Sequence, residues 1–239
     1  MQYVWFFWSL SILIVWFIVY LFNGSLRKEM LWTSLWTAPL GLTEPLFVPE
    51  YWYPPSLFNL AEKTRFDIES IIFSFAVGGL AAVLYEIIFK VKHITMSENE
   101  RRHKRHRFHP YALSSPFIIF AALYFLTDWN NIYRAIVAMF GGSIAAMFCR
   151  PDLKRKIWVS GFLFLGLYFI YFFSLVVAFP NYVREVWNFS RIWGILVLGI
   201  PLEELLFAFS LGMLWSSFYE HIYWRKTLRM LHRKTKGFM

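Results

Sequence analysis

Two adjacent carboxylates, Glu203 and Glu204, follow Pro201 inside a stretch otherwise apolar enough to cross a membrane. A charged side chain at the centre of a spanning helix costs roughly 2.5–3.5 kcal/mol on insertion scales, so acids placed there mark a functional site by default. Side by side in low dielectric, two carboxylates do not both ionise, and at least one keeps its proton. A neutral carboxylic acid is a stored proton. It suits Brønsted acid catalysis, a proton relay or hydrogen bonding between helices, and residue types alone leave these open. Pro201, within a helix over 194–223, frees the carbonyl of Val197. That carbonyl needs a polar partner at membrane depth. Glu203 then lies about ten residues into the span, roughly 15 Å deep.

The segment has a second copy. Residues 66–89 and 200–223 align without a gap at an offset of 134. Identical pairs are Glu69/Glu203, Phe73/Phe207, Phe75/Phe209, Gly78/Gly212, Leu80/Leu214, Tyr85/Tyr219, Glu86/Glu220 and Ile88/Ile222. Phe73 and Phe207 each sit four residues after their acid, on the same helix face. Such rings pack against lipid, or stabilise a cation with their faces. Glu44, in a stretch broken by Pro39 and Pro45, is a third intramembrane acid, at membrane depth or in an interfacial loop. Glu86 and Glu220 fall near cytoplasmic helix ends and read as interfacial and structural.

The elements that position these residues are membrane helices. Of 239 residues, 58% are hydrophobic and 22% aromatic, and only 16% are charged, against about 25% in a soluble domain. The expected class is an all-α polytopic membrane protein. Seven spans of about 20 residues fall near 3–22, 31–48, 67–90, 110–127, 132–149, 157–179 and 194–223. No Lys or Arg precedes Arg27, so the first reads as a retained span rather than a signal peptide. Of the 24 Lys and Arg, 19 follow spans 1, 3, 5 and 7. The positive-inside rule then puts the N-terminus outside and the C-terminus in the cytoplasm. Spans 1–3 and 5–7 form two parallel three-helix repeats joined by span 4, with boundaries at 1–92, 93–131 and 132–239. A site at the interface of the repeats is expected.

Several classes drop out. The run Arg101 to Arg107 reads as a cytoplasmic loop near anionic lipid rather than a nucleic-acid site. His103, His106 and His109 lack a carboxylate or cysteine in helical register, and Cys149 is the single cysteine. No disulfide and no metal site are therefore expected. The Gly78-Gly79 and Gly141-Gly142 pairs suit close helix packing, and no nucleotide cofactor is expected. A retinal protein needs a lysine within the last span, whereas Lys226 follows it. A protease of the Glu-Glu-x-x-x-Arg kind needs an arginine where Ala208 stands.

Three-helix units repeated twice, with a last helix opened by Pro201-Leu202-Glu203-Glu204, resemble the flavin-free membrane lycopene β-cyclases in their fused, seven-helix form. Glu44 followed by Tyr51-Trp52-Tyr53 is similar to that family's acid and Trp/Tyr segment; otherwise the Glu50 to Pro55 stretch reads as an aromatic belt at the outer interface. The first copy departs from the pattern: Asp67 replaces the proline and Ser70 the second acid. The second half has no acid matching Glu44. One composite site between the halves is expected rather than two equivalent ones. The resemblance implies redox-neutral cyclisation of lycopene-type ψ-ends to β-ionone rings in carotenoid biosynthesis, without a cofactor. It implies Glu203 or Glu204 as the acid, with Glu69 or Glu44 as base or orienting partner. Phe207, Phe73 and Pro201 would line the substrate, a carotenoid dissolved in the cell membrane. A hydratase trapping the same cation with water, a proton-coupled transporter and a carotenoid-binding scaffold are the alternatives.

Overall fold

A computed structural model describes residues 3–229; the last part of the basic tail, 230–239, lies outside the described residues. Among the described residues the chain forms ten α-helices and two small antiparallel strand pairs. The long helices are α1 (Val4–Phe22), α2 (Arg27–Thr37), α4 (Ile68–Phe89), α6 (His109–Leu126), α7 (Asn131–Cys149), α8 (Lys154–Ala178) and α10 (Leu202–Tyr223). Short helices α3 (Leu60–Thr64), α5 (Glu98–Arg101) and α9 (Tyr182–Val186) lie in the connections. Strand β1 (Val91–Thr95) pairs antiparallel with β4 (Arg225–Arg229), and β2 (Leu196–Val197) with β3 (Ile200–Pro201).

Among the described residues, five helical stretches are long and apolar enough to cross a membrane: Val4–Phe22, Ile68–Phe89, Lys104–Leu126, Asn131–Cys149 and Pro151–Ala178. The other two expected spans differ from the sequence reading in instructive ways. The second is an α-helix of 11 residues that tightens into a 3-10 segment, Ala38–Leu46, with Pro45 inside it. The prolines at 39 and 45 each lack an N–H, so a regular α-helical ladder cannot run through. The last helix starts at Leu202, not in the 194–200 region. Residues 196–201 instead turn back as a two-residue hairpin, with Leu198 at φ 50° and Gly199 at φ 85°. Positive φ at both central residues is what such a tight hairpin requires, and a glycine meets it at little steric cost. Pro201 is therefore the N-cap of α10, and Val197 belongs to a strand pair rather than to a broken helix. Glu203 and Glu204 occupy the first helical turn.

The two copies of the acidic motif thus open two helices of equal length, 22 residues each. Asp67 caps α4 with its side chain, accepting the Ser70 N–H, where Pro201 caps α10 with none. Both helices end on a residue in the left-handed region, Lys90 and Trp224, and both lead into the paired strands β1 and β4. Upstream, α1 (19 residues), a 3-10 turn at Gly24–Leu26 and α2 are followed, 127 residues later, by α7 (19 residues), a turn at Pro151–Leu153 and α8. Helix α4 packs on α1 and α2, α10 on α7 and α8, and α4 and α10 pack on each other. The buried core runs along this central pair, with Ala76, Leu80, Val83, Ala208, Leu211 and Leu214 inside.

Candidate functional site in an aromatic cavity between the helices

A cavity of about 350 Å³ opens between the two central helices, α1, α6, α7, α8 and the 3-10 segment. Its wall is almost wholly apolar and carries two carboxyl groups, Glu44 and Glu204. Glu44 reaches it because the 3-10 segment lies hard against α4. A Cβ on Gly41 would stand 2.6 Å from Ile71 backbone atoms, so only glycine permits this approach. Glu204 reaches it from the first turn of α10, where the helix dipole and free N–H groups favour a carboxylate.

The two acids have different partners. Glu204 accepts three well-formed bonds: Tyr51 Oη at 2.6 Å and Trp187 Nε1 at 3.1 Å on Oε1, and Tyr168 Oη at 2.6 Å on Oε2. Glu44 accepts Ser70 Oγ at 3.1 Å on Oε2, while Oε1 has no well-aligned donor and the Trp52 indole nearby. Tyr51 lies in the connection after the 3-10 segment, where burial and then the Glu204 charge push its phenol well above the ordinary range. It therefore stays a donor. Around the acids the rings pack edge to face or tilted. Trp5 meets Trp52 at 4.7 Å and Phe73 at 5.3 Å, and Trp52 meets Trp187 at 5.3 Å. Phe207 shares the same wall.

Of the residues singled out by the sequence, Glu44, Glu204, Phe73 and Phe207 line the cavity. Glu69, Glu203 and Pro201 are buried but do not line it. Glu203 Oε1 accepts the Tyr133 hydroxyl at 2.7 Å and the Trp193 N–H at 2.9 Å. Glu69 Oε1 accepts the Leu57 N–H at 2.6 Å. Each of these equivalent acids ties down the loop that precedes its own helix. Phe207 and Phe73 thus share the cavity with Glu204 and Glu44 rather than with the acids four residues before them.

Sequence reasoning missed the donors. Tyr51, read as part of an interfacial belt, is 4% exposed and bonds Glu204. Tyr168 and Trp187 come from α8 and the loop after α9, far from Glu204 in sequence, and no spacing rule links them. The signal for Tyr51 was present in the Glu44 to Tyr53 pattern.

At the other end of the central helices lies a second buried cluster. Glu29, Glu86 and Glu220 surround Lys156, whose ammonium contacts Glu86 and Glu220, and His93 bridges Glu29 at 3.3 Å and Glu220 at 3.1 Å. Glu86 and Glu220 are fully enclosed rather than interfacial, because β1 and β4 close over the helix ends and bring His93 onto them. Burial pulls His93 down. Hydrogen bonds to Glu220 and Glu86 and the Glu29 charge overcome this and hold it up at about 10.

No curated protein and no solved structure matches the chain. The lycopene cyclase family model matches residues 130–222. That stretch holds α7, α8 and α10, and with them Tyr168, Trp187, Glu203, Glu204 and Phe207. Over residues 130–222, the chain is therefore similar to the lycopene cyclase family.

Proposed function

We propose that the chain is an integral-membrane lycopene β-cyclase of the flavin-free type, built from two parallel three-helix repeats with α6 as the linking helix. The observation that carries this reading is one acid from each half, Glu44 and Glu204, on the wall of a single aromatic cavity. The equal lengths and order of α1–α2–α4 and α7–α8–α10 support the duplication, and seven crossings with the N-terminus outside follow from the basic residues. The cavity volume suits the end group of a polyene rather than its whole length. Exposed Leu40 and Phe117, with half-buried Thr43, form its mouth between the 3-10 segment and α6. The rest of the carotenoid extends through that mouth into lipid.

The hydrogen bonds favour roles opposite to those first implied by the resemblance. Glu204, with three neutral donors, is arranged as a carboxylate. Glu44, with one well-aligned donor and no cation beside it, is arranged to hold a proton. Glu44 gives that proton to the terminal alkene of the ψ-end, leaving a tertiary cation. The neighbouring alkene attacks the cation and closes the six-membered ring, which moves the charge onto the ring. Glu204 removes a ring proton and leaves the β-double bond. Atoms and electrons balance, so the reaction is an isomerisation. The faces of Phe73, Phe207 and Trp5 stabilise the cation in transit. Glu44 recovers its proton between turnovers, and the pair titrates as one coupled unit.

The test is expression in cells that accumulate lycopene, followed by pigment analysis. β- or γ-carotene is expected. A hydroxylated product assigns the same cation to capture by water, and unchanged lycopene with the protein inserted in the membrane overturns the proposal.

A further inference from the structure

A group of side chains at the cytoplasmic end of α7 has no part in the cyclase reading. Cys149, the last residue of α7, is buried and free. His109, the first residue of α6, has Nδ1 at 3.3 Å from the Cys149 sulfur. His106, from the 3-10 segment Lys104–Phe108, has Nδ1 at 3.6 Å from the same atom. The sequence reading set these histidines aside because no cysteine accompanied them in helical register. The fold supplies one from 40 residues away.

The geometry is that of a coordination edge. A tetrahedral site with metal–sulfur bonds of about 2.3 Å and metal–nitrogen bonds of about 2.0–2.1 Å sets sulfur and nitrogen roughly 3.5 Å apart. Ligand atoms of the three residues all lie within 4.8 Å of one another. Two imidazole nitrogens face this one sulfur, so a cation placed between them would meet all three ligand atoms. His109 is also held from behind. Its ring stacks on Trp224 at 4.2 Å and is hydrogen-bonded to the His221 backbone, the kind of outer contact that fixes a ligating tautomer. Arg150 adjoins the group, but Asp152 neutralises it through two bonds of 2.9 and 2.7 Å.

We propose that His106, His109 and Cys149 bind one thiophilic closed-shell cation, zinc or cuprous ion, which fastens the basic loop to the end of α7. The full chain, purified in detergent, is stripped with a chelator and reloaded with zinc, cuprous or cobaltous ion. About one equivalent of zinc or copper per chain is expected, and the cobalt form should show thiolate-to-metal charge-transfer absorption. Cys149→Ser should weaken binding by at least the roughly 10–100-fold typical of a lost outer contact and abolish the cobalt band. His106→Gln, at a half-exposed position that tolerates change, should weaken binding likewise and serves if the serine variant does not fold. His103→Ala should bind normally. Absence of stoichiometric metal under every load overturns the site, as does a cobalt band that persists in Cys149→Ser or, failing that, an unchanged metal affinity in His106→Gln. Neither outcome depends on whether lycopene is cyclised.

Discussion

Helices α4 and α10 begin alike and diverge one residue later. Glu69 and Glu203 occupy equivalent places, are wholly buried and hold loop N–H groups. The next position is Ser70 in one helix and Glu204 in the other, and it is this position that reaches the cavity. A compensating exchange occurs on the preceding helices: Glu44 in the first half lines the cavity where, 127 residues later, Tyr171 does in the second. Each half therefore contributes one acid, from a different helix. Duplication alone would have left two like carboxyl pairs, whose mutual repulsion makes simultaneous ionisation costly. On the proposed roles, divergence leaves a single proton donor and a single acceptor in different surroundings, which is how one site runs acid and base steps at the same pH.

The largest effect tests that division. On the proposed mechanism Glu204→Gln and Glu44→Gln each remove a proton-transfer group and should lower product formation by about 10²–10⁴-fold, with the helical fold retained. Pigment yield per inserted protein measures this. If Glu203→Gln or Glu69→Gln is equally damaging to turnover while thermal stability is unchanged, the loop-holding assignment fails and the repeated acids rejoin the chemistry.

The buried ion cluster repeats the theme of broken symmetry. Glu86 and Glu220 are equivalent, but Glu29 in the first half faces Lys156 at the matching place in the second. A symmetric arrangement of four carboxylates would be untenable without counter-charge. Lys156→Met leaves three enclosed acids with only His93 to oppose them and should cost about 3–5 kcal/mol. Unfolding in detergent measures it. The loss should shrink when Glu86→Gln is added, and strictly additive losses would mean that the two side chains do not share a network.

A smaller effect separates holding from catalysis. Glu69→Gln and Glu203→Gln keep one acceptor oxygen but disturb the bonds to loop N–H groups, at a cost of about 1–3 kcal/mol each. Proteolysis of the 50–66 and 187–200 loops should quicken accordingly. Unchanged cleavage would show that these carboxylates do not hold the loops.

Much of this was readable from the residues, and the limits have physical causes. The acids were visible because a carboxylate is costly in an apolar stretch. The repeat was visible because α4 and α10 keep identical residues at a fixed offset. Composition could not show that Pro201 caps a helix rather than interrupts one, since the apolar run Ile195 to Ile200 has the hydropathy of a span while Leu198 and Gly199 turn it into a hairpin. Nor could it choose between Glu203 and Glu204. Neighbouring residues on a helix point about 100° apart, and which one faces a cavity depends on packing against α7 and α8. The donors Tyr168 and Trp187 and the sulfur of Cys149 are brought in by long-range contacts that carry no local pattern.

The smallest effect concerns His93, and its sign follows from linkage. The groups facing the ring are Glu29 on α2, Glu86 on α4, Glu220 and Tyr219 on α10, with Lys156 on α8 sharing the same acids. In the folded chain they hold the imidazole at about 10, against 6.5 ordinarily. A raised value means that the folded state binds the proton more tightly than the unfolded chain does. Its contribution is complete below pH 6.5 and is lost as pH rises through about 10. The loss is at most about 1.4 kcal/mol per pH unit in that window. Thermal unfolding at pH 7.5 and 8.5 should show the decline, and His93→Gln should flatten it. A slope that persists in the glutamine variant would move the proton to another member of the cluster. It would also remove the reason to regard β1 and β4 as a lid that completes the charge balance between the two halves.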